Sequence, residues 1–216
     1  MSDECLVEIP NKPLITFIIP TIGRSTLQNT LDCLITQSNP NWKAIVIFDG
    51  ISSTIQNTDP RIHIIESPKL GEGHNSAGLV RNYGITFADT EWIAFVDDDD
   101  SLSKKYVEIF IAESSAYTLA DIILFRMEHP EVGPLPFLST DMFFACQVGI
   151  SFAVKKKVLD EGHIFIPSRA EDFHYLNDAK NKNYNIMISP YVTYFVNKYD
   201  QPEYPQVGNR VCLFTS

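Results

Sequence analysis

The stretch Trp92-Ile-Ala-Phe-Val-Asp-Asp-Asp-Asp100 decides the fold. Five apolar residues run directly into four acids, and a short β-branched and aromatic run that stops so abruptly predicts a buried strand ending at a polar edge. Upstream, Leu14-Ile-Thr-Phe-Ile-Ile19 reads the same way and is closed by Pro20. Ser25 or Thr26 then caps an amphipathic stretch with Leu27, Leu31, Leu34 and Ile35 at helical spacing, which ends near Asn39-Pro40. Trp42 to Phe48 is a second strand that stops at Asp49-Gly50, and Arg61 to Ile65 a short third. Asn75 to Ala88 predicts a helix, preceded by the glycine-rich Gly71-Glu-Gly-His-Asn.

Downstream, Ser103 to about Tyr117 is helical, and Ile122 to Phe125 is a further strand. His129 to Phe137 holds three prolines and a glycine and reads as a loop or lid. Val148 to Val154 predicts a strand before the basic Lys155-Lys-Lys157, a solvated helix start. Glu171 to Lys180 reads as a helix, Tyr184 to Ile188 and Val192 to Val196 as two strands, and the tail from Asp200 as irregular. Strands alternating with helices indicate an α/β fold with a mostly parallel central sheet flanked by helices.

Composition bounds the function. The chain has 216 residues, with 17 Lys and Arg against 27 Asp and Glu, for a net charge of −10. That balance argues against nucleic acid as a partner, since phosphate binding needs a basic face. Cys5, Cys33, Cys146 and Cys212 form no CxxC pair and no dense framework, which fits a reduced, cytoplasmic protein. The N-terminus opens with acids and lacks a long apolar core, so no secretory signal is expected, and no run approaches the ~20 apolar residues of a membrane helix. Neither repeat nor long linker marks a second domain. One domain over 1–216 is expected, with a nucleotide-binding half at about 14–100 and an acceptor-binding half at about 101–200.

In open α/β sheets ligands bind beyond the carboxyl ends of the strands. The residues there are Pro20, Thr21 and Arg24, then Asp49, then Asp97 to Asp100. Adjacent carboxylates repel, and a hard divalent cation such as Mn²⁺ or Mg²⁺ would relieve the repulsion through Asp99 and Asp97, given a turn that brings both to one ion. The alternative is a solvated acidic turn near a helix N-terminus. Asp49-Gly50 is also a common turn pair, Arg81 also reads as a surface helix arginine, and Glu171-Asp172 also suits the first turn of a helix. The five histidines show no paired metal spacing. The GxGxxG and P-loop fingerprints are absent.

Taken together, Ile18-Ile-Pro-Thr21, Ile47-Phe-Asp-Gly50, Gly78-Leu-Val-Arg-Asn-Tyr-Gly84, Phe95-Val-Asp-Asp-Asp-Asp100 and Glu171-Asp172 resemble the family 2 glycosyltransferases of the GT-A fold, in order and spacing, over roughly residues 14 to 180. The resemblance implies an inverting, metal-dependent transfer of a sugar from a nucleoside diphosphate donor to the hydroxyl of a glycan, protein or small-molecule acceptor. By that resemblance Thr21 and Asp49 line the nucleoside pocket, with Pro20 and Arg24 also in the nucleotide-sugar site, and Asp49 accepts from a base that carries a ring N–H, which suits uracil, thymine or guanine and disfavours cytosine. Arg81 neighbours the base or diphosphate. Asp97 or Asp98 approaches the ribose, Asp99 is the principal metal ligand, Asp172 is the general base and Glu171 its neighbour. Residues 129 to 150 supply a flap.

The chain departs from the family pattern in two places. Phe48 stands where many members carry a second acid, and of the QxxRW motif of processive synthases only Gln206 and Arg210 remain, wrongly spaced. A single, non-processive transfer is expected. Two alternatives follow from the same residues: a nucleotide-sugar binding module without turnover, and, from Asp97-x-Asp99-x-Ser101, a haloacid dehalogenase-type phosphatase, whose nucleophile normally follows the first strand.

Overall fold

A computed structural model describes residues 14–56, 59–70, 76–140, 142–199, 206–208 and 211–213. The N-terminal opening with Cys5, the 71–75 segment with His74, and Asp200 and Arg210 lie outside them. The element order is β1 (Ile15–Thr21), α1 (Leu27–Ile35), β2 (Trp42–Asp49), β3 (Ile62–Ser67), α2 (Ala77–Ile85), β4 (Trp92–Phe95), β5 (Ser101–Leu102), α3 (Tyr106–Ala116), β6 (Ile122–His129), β7 (Gly133–Leu135), β8 (Phe152–Lys155), α4 (Lys156–Asp160), α5 (Glu171–Asn181), β9 (Ile186–Phe195) and β10 (Val211–Leu213).

One sheet runs in the order β10-β9-β6-β8-β4-β1-β2-β3, with β5 on β9 and β7 on β6. Strands β3, β2, β1 and β4 are parallel neighbours, so Ser67, Asp49, Thr21 and the acids after Phe95 leave the sheet along one edge. Strand β8 runs antiparallel between β4 and β6. Every residue of β1 is buried, which is why Ile15 to Ile19 read as apolar but for Thr16 rather than as alternating. The strand does not end at Pro20 as expected. Ile18 accepts the Val96 N–H and is the last β1 residue paired with β4, so a proline two residues further on faces a flank where no ladder bond is left to lose.

Helix α2 lies against the sheet at unusually close range. A Cβ on Gly84 would sit 2.5 Å from Ile47 Cδ1 and 2.7 Å from Ile18 Cγ2, so only glycine lets the helix backbone approach β1 and β2. Thr26 occupies the position before α1 but makes no side-chain capping bond, contrary to the sequence reading.

Three other expectations change. The 129–137 loop is a hairpin, because β7 folds back antiparallel on β6. The two C-terminal strands are one, β9, which continues through Pro190. Its ladder to β6 slips around Pro190, whose carbonyl accepts the Gly208 N–H on the other flank, with Ile188 opposite Leu124 but Val192 opposite Arg126. The tail adds a strand, β10, on β9. No helix among the described residues is long and apolar enough to cross a membrane. Gly84→Val should lower stability by about 2 kcal/mol or more through overpacking and the β-branch, read as a lower urea midpoint with an unchanged m-value; an unchanged midpoint would refute the close-approach explanation.

Candidate active site

The acids beyond β4 form a tight turn in which the Asp100 N–H donates to the Asp97 carbonyl at 3.2 Å. Their side chains diverge, with only Asp98 and Asp99 sharing a partner, which reduces the repulsion that the sequence predicts. Asp98 turns inward and accepts from Thr21 Oγ1 at 2.6 Å and from Arg24 Nη1 at 2.8 Å. Asp99 accepts from the same Arg24 nitrogen at 2.7 Å. Asp97 accepts from Arg81 Nη2 at 2.5 Å. Asp100 points to the opposite side, where it accepts from the Tyr194 hydroxyl at 2.6 Å and the Asn197 N–H at 2.9 Å.

The Tyr194 oxygen in turn accepts the Asp97 N–H at 3.2 Å, so strand β9 clamps both ends of the turn. Burial pushes Asp100 up to about 7, with Asp97 adding to the rise and the Tyr194 and Asn197 donors opposing it. Burial also raises Asp99; Arg24 opposes the shift, and Asp97 and Asp98 reinforce it.

Next to this turn lies a cavity of about 160 Å³ whose wall includes Pro20, Thr21, Arg24, Asp49, Asp97 and Asp98. Six of the residues expected in a nucleotide pocket therefore share one space. Asp49 is buried and already bonded, accepting the Leu70 N–H at 2.7 Å on Oδ1 and pairing with Lys69 through Oδ2. Lys69 had no signal in the sequence. It lies only 20 residues from Asp49, yet it reaches it because β3 pairs with β2 up to Ser67 opposite Asp49.

Arg81 is not in the cavity wall. It lies 2 % exposed at the junction of α2, the acid turn and α5, where both terminal nitrogens are spent on carboxylates. Nη1 pairs with Glu171 Oε1 and stands 3.8 Å from Asp172 Oδ1. The surface-arginine alternative is excluded by that burial. Its charge outweighs its own desolvation because three acids surround it, and the group stays protonated.

Glu171 also accepts the Gly78 N–H at 3.1 Å, and a Cβ on Gly78 would meet Glu171 Oε2 at 2.7 Å, so the glycine admits the carboxylate to the first turn of α2. Phe165 packs 5.6 Å from the guanidinium and is held by Asn82 through both backbone groups, at 2.8 Å and 3.0 Å. Asp172 is 26 % exposed, and its Oδ1 is buried without a hydrogen bond. Burial pushes it up to about 7; Arg81 opposes this, and Asp97 and Glu171 add to it.

Among the described residues no three His, Cys, Asp or Glu side chains converge as a ready-made metal cage. The oxygen donors of Asp97 and Asp99 nonetheless suit a hard cation that takes one or two carboxylates and completes its shell with water and phosphate. Both carboxylates are partly open to solvent, at 36 % and 27 %. Replacing Arg81 with Met removes the charge shared by Asp97, Glu171 and Asp172. The variant should lose about 3–5 kcal/mol, the usual cost of leaving buried charges unpaired, measured by urea unfolding at pH 7.5; a loss below about 1 kcal/mol would contradict the hub.

Comparison with known proteins places this geometry. Residues 16–173 match the family described as Glycosyl transferase family 2. TuaG of Bacillus subtilis (strain 168), named for teichuronic acid biosynthesis, is a glycosyltransferase 26 % identical over 129 residues, 54 % of this chain and 50 % of its own. Glycosyltransferase GlyA of Streptococcus pneumoniae serotype 4 is 31 % identical over 116 residues, 50 % of this chain and 16 % of its own. The chain thus spans half or less of the length of the curated relatives it matches.

The crystal structure of S. aureus TarS 1-349 superposes with a TM-score of 0.67 at 18 % identity, over 85 % of this chain and 60 % of that one. TarS 1-349 in complex with UDP-GlcNAc gives 0.64 at 17 %, over 88 % and 60 %. That likeness carries the GT-A fold. The phosphatase alternative falls with the family match, and Asp97 follows the fourth strand rather than the first. With the acid turn, the strand-end cavity and the Glu171-Asp172 pair inside or at the edge of the matched segment, the chain belongs to glycosyl transferase family 2.

Proposed function

We propose that this chain carries out a metal-dependent, inverting, non-processive transfer of one sugar from a uridine diphosphate sugar to an acceptor hydroxyl. One observation carries the reading: a single buried guanidinium joins Asp97 on the acid turn to Asp172 on α5. A donor gripped by the turn would therefore lie beside a carboxylate able to take a proton. The UDP and UDP-GlcNAc complexes of TarS support a uridine donor. The acceptor stays open between glycan, protein and small molecule.

In this reading Pro20 and Thr21 wall the nucleoside site, and Asp49 accepts from the ring N–H of the base. Asp98, fixed by Thr21 and Arg24, approaches the ribose together with Asp97. Asp99, with Asp97, would hold Mn²⁺ or Mg²⁺, which supplies Lewis-acid stabilisation of the charge that gathers on the departing diphosphate. Arg24 bridges Asp98 and Asp99 with one nitrogen and is 47 % exposed, so its remaining donors are available to diphosphate oxygens. Asp172 takes the acceptor proton as that oxygen attacks the anomeric carbon from the face opposite the leaving group. Glu171 holds Arg81 in place and so sets the charge beside the base.

The reading is tested by incubating the protein with a panel of nucleotide sugars, with and without Mn²⁺, and measuring free nucleoside diphosphate. A uridine donor should give the largest metal-dependent release; binding without release would leave a binding module, and a response confined to cytidine donors would overturn the Asp49 role. Asp172→Asn should keep donor binding and lose transfer by about 10²-fold or more; retained transfer would remove Asp172 as base.

The pH dependence has a definite sign. A base must be ionised, and the Asp172 carboxyl is raised to about 7. The kcat/KM for transfer should therefore fall about tenfold per unit below pH 7 and level off above it. A profile flat from pH 5.5 to 8 would contradict the assignment.

A further inference from the structure

We propose that Lys69 is a base-reading residue that works as a pair with Asp49 and selects the imide edge of a uracil-type base over guanine; this rests on the uridine-donor reading above. Asp49 stands in the cavity wall, and Lys69 is ion-paired to its Oδ2 while the Leu70 N–H holds Oδ1. The pair is built into the backbone. Gly50 has φ +74, and a Cβ there would meet Lys69 Cβ and Cδ at 2.9 Å and Lys69 Cα at 3.2 Å. The Gly50 N–H also bonds the Ser67 carbonyl at 3.0 Å, so residues 67–70 are laid directly along the exit of β2. Only a residue without a side chain lets the lysine stem lie so close to the carboxylate it neutralises.

The chemistry follows from the order of donors and acceptors. An imide edge presents carbonyl, N–H, carbonyl. Against a bare carboxylate, one oxygen accepts the N–H while the other faces a carbonyl, acceptor against acceptor. An ammonium beside that second oxygen changes the wall to acceptor next to donor, which matches N–H next to carbonyl. Lys69 has three N–H donors and is half exposed, so donors remain beyond the one spent on Asp49. Guanine can set its O6 and N1–H against the same pair, but it can also give N1–H and an amino N–H in parallel to a bare carboxylate, a mode the imide edge lacks, so guanine depends less on the lysine. Cytosine has no ring N–H for Asp49 and can meet the pair only one position out of register, with its amino group on Asp49 and its ring nitrogen on Lys69.

The test compares wild type, Lys69→Met and Lys69→Arg for binding of UDP and GDP with Mn²⁺ by calorimetry, with thermal unfolding as the control for folding. Lys69→Met should weaken UDP by about tenfold or more and GDP by less than about threefold, and Lys69→Arg should recover most of the loss. With 2-thio-UDP and 4-thio-UDP, whose sulfur is a poorer acceptor, the penalty of Lys69→Met should shrink for the analogue altered at the carbonyl the lysine contacts. Equal or tighter UDP binding by Lys69→Met, a loss that is the same for UDP and GDP, or a penalty undiminished with both thio analogues would overturn the proposal. Failure of the wild type to bind UDP would instead overturn the uridine-donor reading itself.

Discussion

The Arg81 guanidinium is the constraint on which the site depends. Burying an arginine to 2 % exposure removes a hydrated charge from water, and the fold tolerates this because Asp97, Glu171 and Asp172 surround it from two directions. Each partner arrives by a different route. Asp97 follows the fourth parallel strand, Glu171 and Asp172 open helix α5 far downstream, and Arg81 itself lies on a helix seated on the sheet through Gly84. The ion network therefore reports the correct assembly of the two halves of the chain. The carboxylate most useful as a base is also the one the guanidinium holds least tightly, at 3.8 Å against direct bonds to its two neighbours. Desolvation raises it to about 7, Asp97 and Glu171 add to the rise, and the guanidinium opposes it.

The same logic distributes the four aspartates. If all of them faced one cavity, the repulsion would demand a cation before the chain could fold. Instead the turn sends Asp100 to Tyr194, Asp98 to Thr21 and Arg24, and Asp97 to Arg81, leaving Asp99 with one shared arginine nitrogen and a raised titration. Protein donors thus supply part of the neutralisation, and the unfilled remainder is concentrated on the side open to solvent. The proposed metal and diphosphate would bind more reversibly here than in a closed cage, because nothing buried would have to be unmade when the product leaves.

Much of this was readable from periodicity. The runs at Ile15–Ile19, Trp42–Phe48 and Trp92–Phe95 are apolar but for Thr16 and Lys43, which marks strands buried on both faces, and each is followed closely by polar residues that the parallel topology carries to one edge. The residues just beyond strands could therefore be nominated without coordinates. What stayed hidden depends on distant pairing. Tyr194 sits in an ordinary β-aromatic run, and its two bonds to the acid turn arise only because β9 pairs with β5. Lys69 sits in a short segment between a strand and a helix, a place where lysines are common and usually solvated. The resemblance puts Arg81 beside the base or the diphosphate; the depth at which Gly78 and Gly84 set helix α2 brings it against Asp97, Glu171 and Asp172. Pro190 misled the strand boundaries, since a proline can sit at a register slip within a strand as well as at a chain break.

The order of strands also explains why the proposed donor would lie in one direction. Asp49 ends β2, Thr21 ends β1 and Asp97 follows β4, and these three strands are consecutive in the sheet. Neighbouring strands are about 4.8 Å apart, so the span from β2 to β4 is on the order of 10 Å, comparable to the distance from a nucleobase edge to its diphosphate. A base held by Asp49 would place its ribose over β1 and Asp98, and its phosphates over the acid turn. The next strand in the sheet, β8, runs the other way, so the succession of parallel strand ends stops at the acid turn. The element that takes over there is the N-terminus of α5, which brings Asp172 alongside rather than further along the row. In the proposed reading, sheet polarity would thus set where the donor ends, and Asp172 would stand beside the bond that must break because α5, not another parallel strand, follows the acid turn.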